Sequence, residues 1–184
     1  MSISIKTARE IEKMRRAGEL LEKVHDELGR AIHPGMSTWE INKLGEEMIR
    51  SFGCTPNFLN YNGYPASICV SVNEEVVHGI PSKKRILKEG DIVSLDAGLI
   101  YKGYHSDAAR THAVGKVSTE AQKLMDVTKQ SFFEGIKMAK EGQHLHDISR
   151  AIEEYVTPYG YGIVRDLVCL LYTSDAADDR ISVD

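Results

Sequence analysis

From Val93 to Thr111 the chain reads Val-Ser-Leu-Asp-Ala-Gly-Leu-Ile-Tyr-Lys-Gly-Tyr-His-Ser-Asp-Ala-Ala-Arg-Thr, and no other stretch restricts the fold as tightly. Alternating apolar positions on both flanks predict two strands, and Lys102-Gly103 is where the chain can reverse. A two-residue turn there sets Gly98 opposite Asp107 and Ala109 opposite Asp96. Both aspartates then share one face as diagonal neighbours, with Cα atoms about 7–8 Å apart. Carboxylates so placed, with only a glycine between them, can share two divalent cations about 3.5–4 Å apart. A three-residue loop would instead throw one aspartate onto the other face. The competing reading is an ordinary hairpin with two solvated aspartates, and the pattern alone favours it.

Composition narrows the remaining choices. The 184 residues, 42% hydrophobic and 27% charged, suit a globular chain able to bury a full core. A net charge of −4 argues against direct DNA binding, which draws on a basic excess. Cys54, Cys69 and Cys169 have neither disulfide-framework pairing nor zinc-knuckle spacing, so a reducing, cytoplasmic setting is expected. The first residues enter a charged helical pattern without an apolar signal core, and no stretch reaches the length of a membrane span.

Periodicity predicts a helix from about Thr7 to Gly29, with Thr7 and Glu10 as a capping box. Ser37 and Glu40 predict a second, running to about Phe52, and Trp39 in its first turn is read as packing. From Tyr61 to Gly115 short apolar runs punctuated by glycine, proline and asparagine predict several strands. Helices follow over about Thr119–Lys140 and Leu145–Val156, then a strand beginning near Gly162. The order predicts an α+β chain, with helices over one face of a largely antiparallel sheet.

Three further features bear on chemistry. His78 closes an apolar run before Gly79-Ile80-Pro81. It can hydrogen-bond a substrate or shuttle a proton, or simply end a hairpin at the surface. Tyr61 and Tyr64 sit on a glycine-containing loop and either wall a small apolar pocket or form a plain turn. His105 and His112 flank Asp107 and rank below the aspartates as ligands, while His144 and His146 read as solvated. No glycine-rich phosphate loop is present, so no organic cofactor is expected.

Together these pieces form a set. Gly-Tyr-Pro-x-Ser-x-Cys-x-Ser-x-Asn-Glu-x-Val-x-His-Gly-Ile-Pro (Gly63 to Pro81), Gly-Asp-Ile-Val-x-Leu-Asp-Ala-Gly (Gly90 to Gly98) and Gly-Tyr-His-Ser-Asp (Gly103 to Asp107) closely resemble type I methionine aminopeptidases. So do the N-terminal run Ile5 to Arg15 and the later Asp147 to Val156. The resemblance covers about Ile3 to Val168 and reverses the preference for solvated aspartates. It implies the pita-bread fold of creatinase-like aminopeptidases, here truncated. It further implies that Asp96 and Asp107 are ligands of two divalent metal ions (cobalt, manganese, iron or zinc) and that His78 contacts substrate at the scissile amide. Tyr61, Tyr64 and Cys69 match positions lining the methionine side-chain pocket, with Phe58 beside a further one. The implied reaction is hydrolytic removal of the initiator methionine from nascent chains with a small second residue. Nascent N-termini would be the partners, with ribosome association a further one consistent with that role, and the complete enzyme a monomer.

The pattern then breaks. Relatives follow Val-Arg-x-x-x with Gly-His-Gly-Ile-Gly, supplying a histidine ligand, and later two glutamate ligands. Here Val164 to Val168 is followed by Cys169 and Leu170, no histidine follows His146, and no glutamate follows Glu154. We read 1–168 as an incomplete catalytic domain and 169–184 as a non-family tail resembling translated adapter sequence. Two other functions fit the fold: a non-catalytic peptide- or protein-binding relative, which would be expected to lose the aspartates, and an X-Pro aminopeptidase or prolidase, which would carry a longer lead before Tyr61.

Overall fold

The computed structural model describes residues 5–164. Two helices open the chain, α1 (Ala8–Ala31) and α2 (Thr38–Ser51), each entered through a capping box. The Glu10 carboxylate accepts from the Thr7 N–H at 2.8 Å, and the Glu40 carboxylate accepts from the Ser37 N–H at 2.8 Å. Each cap satisfies donors that the first helical turn leaves unpaired, worth about 1 kcal/mol. Gly29 does not stop α1 as the periodicity predicts. It stays helical because it lies where side-chain volume is forbidden: a Cβ there would sit 2.6 Å from the His112 ring. Trp39 is 37% exposed, with the Lys83 ammonium 5.9 Å from its ring centre, so it caps the surface rather than filling the core.

Among the described residues four strands make one antiparallel sheet: β1 (Thr55–Pro56), β2 (Ile68–Val72), β3 (Ile92–Tyr101) and β4 (Tyr104–Ala113). β4 runs along the whole of β3, so β1 and β2 share its other edge, β1 at Leu99–Ile100 and β2 at Val93–Ala97. Lys102 and Gly103 both have positive φ, 50° and 83°, the geometry of a two-residue hairpin turn whose twist matches the strands.

Alternation then divides the sheet. Val93, Leu95, Ala97 and Leu99 are completely buried and join Leu20, Leu21, Val24 and Leu28 of α1 and Ile41 and Ile49 of α2 in one core. Each such side chain contributes about 1.5–3 kcal/mol by leaving water. Polar ties fix α1 to the same side of β4: a His25 ring nitrogen 2.9 Å from the Ala108 carbonyl, Tyr104 to Glu10 at 3.0 Å, and Arg110 to Asp26 at 2.8 Å. These two helices cover one face, as expected for the α+β class.

Chain contacts separate a second unit that begins at Ser118. Taken by itself it pairs α3 (Thr119–Ile136) with α4 (Leu145–Val156). Gly135 permits close approach, since a Cβ there would lie 2.8 Å from Ile152. α3 ends four residues before the expected Lys140, where Met138 and Ala139 bond back only three residues, to Gly135 and Ile136. Residues 162–164 are not a strand. The rest of that expected strand and the expected boundary after Val168 lie outside the described residues. Among the described residues no helix is long and apolar enough to cross a membrane.

Candidate metal centre

The β3–β4 register pairs Gly98 with Asp107 and Asp96 with Ala109, as the two-residue turn requires. Both aspartates therefore occupy the face turned away from α1 and α2. Each is half-buried, and their side chains are hydrogen-bonded to each other. Burial raises the proton affinity of Asp96, and the adjacent Asp107 charge raises it further. Burial also raises that of Asp107, while its hydrogen bond to Asp96 acts in the opposite sense. The two carboxylates are thus driven to hold a proton between them. A hard, oxygen-seeking divalent cation would relieve the same repulsion, so the donor set suits one. Among the described residues no group of three or more His, Cys, Asp or Glu closes around a metal.

The neighbouring strand adds the wall. Cys69 on β2 lies opposite Asp96 and is buried. Its thiol is pushed up to about 11, by burial first, and by Asp96 and Asp107, while a hydrogen bond with Tyr64 acts against them. It is a protonated, weakly polar surface at neutral pH rather than a nucleophile. Burial likewise raises the Tyr64 hydroxyl, which lies 2.9 Å from the Gly79 carbonyl and 3.3 Å from that of Ile68. Phe58 is buried at 8% exposure, whereas Tyr61 is 44% exposed on a short turn.

His78 does not end a strand, contrary to the sequence pattern. β2 stops at Val72, and His78 lies in the following loop, exposed, with φ 58°. The loop folds back onto β2: the Val70 N–H donates to the Gly79 carbonyl at 2.9 Å, and the Gly79 N–H donates to Ser71 Oγ at 3.1 Å. His105 shares the Asp107 face by alternation, but His112 lies on the other face, against Gly29 of α1, and drops out as a ligand.

Sequence reasoning missed two residues here. Asn57 continues the β1 pairing by donating its N–H to the Gly98 carbonyl at 3.0 Å. Its side chain fills the space over Gly98, where a Cβ would lie 2.8 Å from Nδ2, and its buried Oδ1 has no partner. Nothing in a two-residue strand announces this. The other is Ser71, which the alternation Ile-Cys-Val-Ser-Val sets on the Cys69 face.

Comparison with known proteins now bears on this geometry. Residues 12–173 match metallopeptidase family M24. The chain belongs to that family. A methionine aminopeptidase from Clostridium acetobutylicum is 52% identical over 166 residues, spanning 90% of this chain and 66% of its relative. The chain thus spans about two thirds of the length of such curated relatives. The crystal structure of a methionine aminopeptidase from Thermotoga maritima superposes with a TM-score of 0.87 at 42% identity, over 91% of this chain and 67% of that one. A Xaa-Pro dipeptidase from Bacillus anthracis superposes less well, with a TM-score of 0.75 at 29% identity, over 86% and 43%. The M24 chain accordingly has the pita-bread fold expected from its motifs, over part of the relatives' length.

Proposed function

We propose that this M24 chain carries part of the active centre of a methionine aminopeptidase, which removes the initiator methionine from nascent proteins with a small second residue. The observation that carries the proposal is the facing pair Asp96 and Asp107 on the side of the hairpin turned away from α1 and α2. Asp96 and Asp107 would hold the cations, from the cobalt, manganese, iron and zinc group. When bound, such cations acidify water and polarise a peptide carbonyl. The neutral Cys69 thiol, with Tyr64, Phe58 and Tyr61, would form a weakly polar wall suited to an unbranched thioether. His78, projecting from its loop, would hydrogen-bond the peptide at the scissile amide. The setting is cytoplasmic, the partners are nascent N-termini at or near the ribosome, and the complete enzyme is a monomer.

The residues after Val168 hold no histidine and no glutamate. The 184-residue chain by itself therefore lacks the ligands that the family resemblance adds to the two aspartates, and it should bind cations weakly and not turn over. Joining residues 1–168 to the remaining third of the Clostridium relative should give a chimera that releases methionine from Met-Gly-Met-Met with Mn2+ or Co2+. A folded, Mn2+-binding chimera without such release would overturn the activity. Release by the 184-residue chain would overturn the incomplete ligand set.

A further inference from the structure

We propose that Ser71 is the positioning residue of His78, acting through Gly79. This deepens the aminopeptidase reading, since it assigns the device that holds the substrate-facing imidazole. Three observations converge on it. The first is the left-handed backbone of His78, φ 58°, a conformation uncommon for non-glycine residues, which histidine tolerates better than most and which its surroundings must hold.

The second is the clamp on the next residue. Gly79 is bonded on both sides of its peptide framework: its N–H donates to Ser71 Oγ at 3.1 Å, and its carbonyl accepts from the Val70 N–H at 2.9 Å and from the Tyr64 hydroxyl at 2.9 Å. The contact is so close that a Cβ on Gly79 would sit 2.2 Å from the Val70 carbonyl oxygen. Glycine is required by proximity, and the loop lies flat on β2.

The third is the opposite foot of the same loop. Glu75 accepts from the Val72 N–H at 2.8 Å and donates its own N–H to the Val72 carbonyl at 3.2 Å. Residues 73–79 thus leave and rejoin a single strand, with His78 beside the rejoining foot. The Val70 bond is between main chains and cannot be tuned by side chain. Ser71, only 4% exposed, supplies the side-chain acceptor that meets the Gly79 N–H. Without it the Gly79 N–H has no side-chain acceptor, and the peptide joining His78 to Gly79 is held only through the Gly79 carbonyl.

The test uses the full 184-residue chain and does not depend on turnover. In Ser71→Ala, amide exchange at Gly79 should accelerate on the order of ten-fold. The 13Cα and 13Cβ shifts of His78 should leave their positive-φ values. Ser71→Thr, which restores a hydroxyl on a strand, should return both signals. Tyr64→Phe, which removes one bond from the Gly79 carbonyl and leaves its N–H untouched, should move them less. If Ser71→Ala folds with unchanged His78 shifts and Gly79 exchange, the positioning role is overturned. If Ser71→Ala unfolds, Ser71→Cys, whose thiol is a weaker acceptor, takes the reading, and unchanged His78 shifts and Gly79 exchange in it overturn the role equally. Failure of the methionine aminopeptidase reading would show instead as an inactive chimera with these signals intact.

Discussion

The two faces of the β3–β4 hairpin bury ionisable pairs of opposite kind, and they differ in what burial does to them. On the helix side His25 is completely enclosed and its imidazole is pulled down to about 4, by burial first. His112 beside it is lowered for the same reason. A neutral imidazole still has a use there, since His25 meets the Ala108 carbonyl. On the other side burial raises Asp96 and Asp107, because two ionised carboxylates would leave only acceptor oxygens facing each other. Each histidine stays neutral inside the packing with one ring nitrogen unpartnered, His25 Nδ1 and His112 Nε2; the aspartate pair repels when ionised, which a shared proton relieves and a cation would relieve. The same strands thus bury neutral imidazoles on one side and a proton-sharing carboxylate pair on the other.

The sharpest way to break this contrast is Asp107→Ala. In the chimera, Mn2+ affinity followed by electron paramagnetic resonance should fall by at least about 100-fold; unchanged affinity would deny the pair its role. The next effect lies on the helix side. His25 has a native affinity for protons below its unfolded value, so its contribution is present above about pH 6.5 and is lost as pH falls toward 4, amounting to about 3 kcal/mol. Urea titrations across that range should show the loss, and His25→Leu should flatten it. Gly29→Ala should cost about 2 kcal/mol by driving a methyl into the His112 ring, read as a lower urea midpoint with unaltered Mn2+ binding. The smallest effect has the opposite sign. The aspartates bind protons more tightly when folded, so their penalty is absent at low pH and grows as pH rises. Without metal, Asp96→Asn should therefore stabilise the chain by about 1 kcal/mol at pH 8, while a destabilised variant would mean the pair is already satisfied.

The hairpin register was legible because both strands alternate cleanly and Lys102-Gly103 leaves one place to reverse. The capping boxes at Thr7 and Ser37 were equally plain, each being a local rule acting within four residues. What escaped depended on distant partners. Gly29 looks like a helix stop until His112 is known to lie against it. Asn57 follows a strand of two residues, which carries no period. His78 follows apolar residues that resemble a strand, yet it lies in a loop whose next residue, Gly79, is hydrogen-bonded to Ser71, Tyr64 and Val70. Asp96 and Asp107 were placed on one face by counting, but the odds that this face matters came from the surrounding motifs.

The left-handed pair at Lys102-Gly103 has a consequence for how this gene can vary. Surface loops ordinarily absorb an added or deleted codon with little harm. Here a single codon gained at the tip would shift every later side chain of β4 by half a period, sending Asp107 toward α1 and bringing Ser106 out in its place. The two carboxylates would part and the ties of β4 to α1 would go with them, which makes loop length, rather than residue identity, the least negotiable property of this corner.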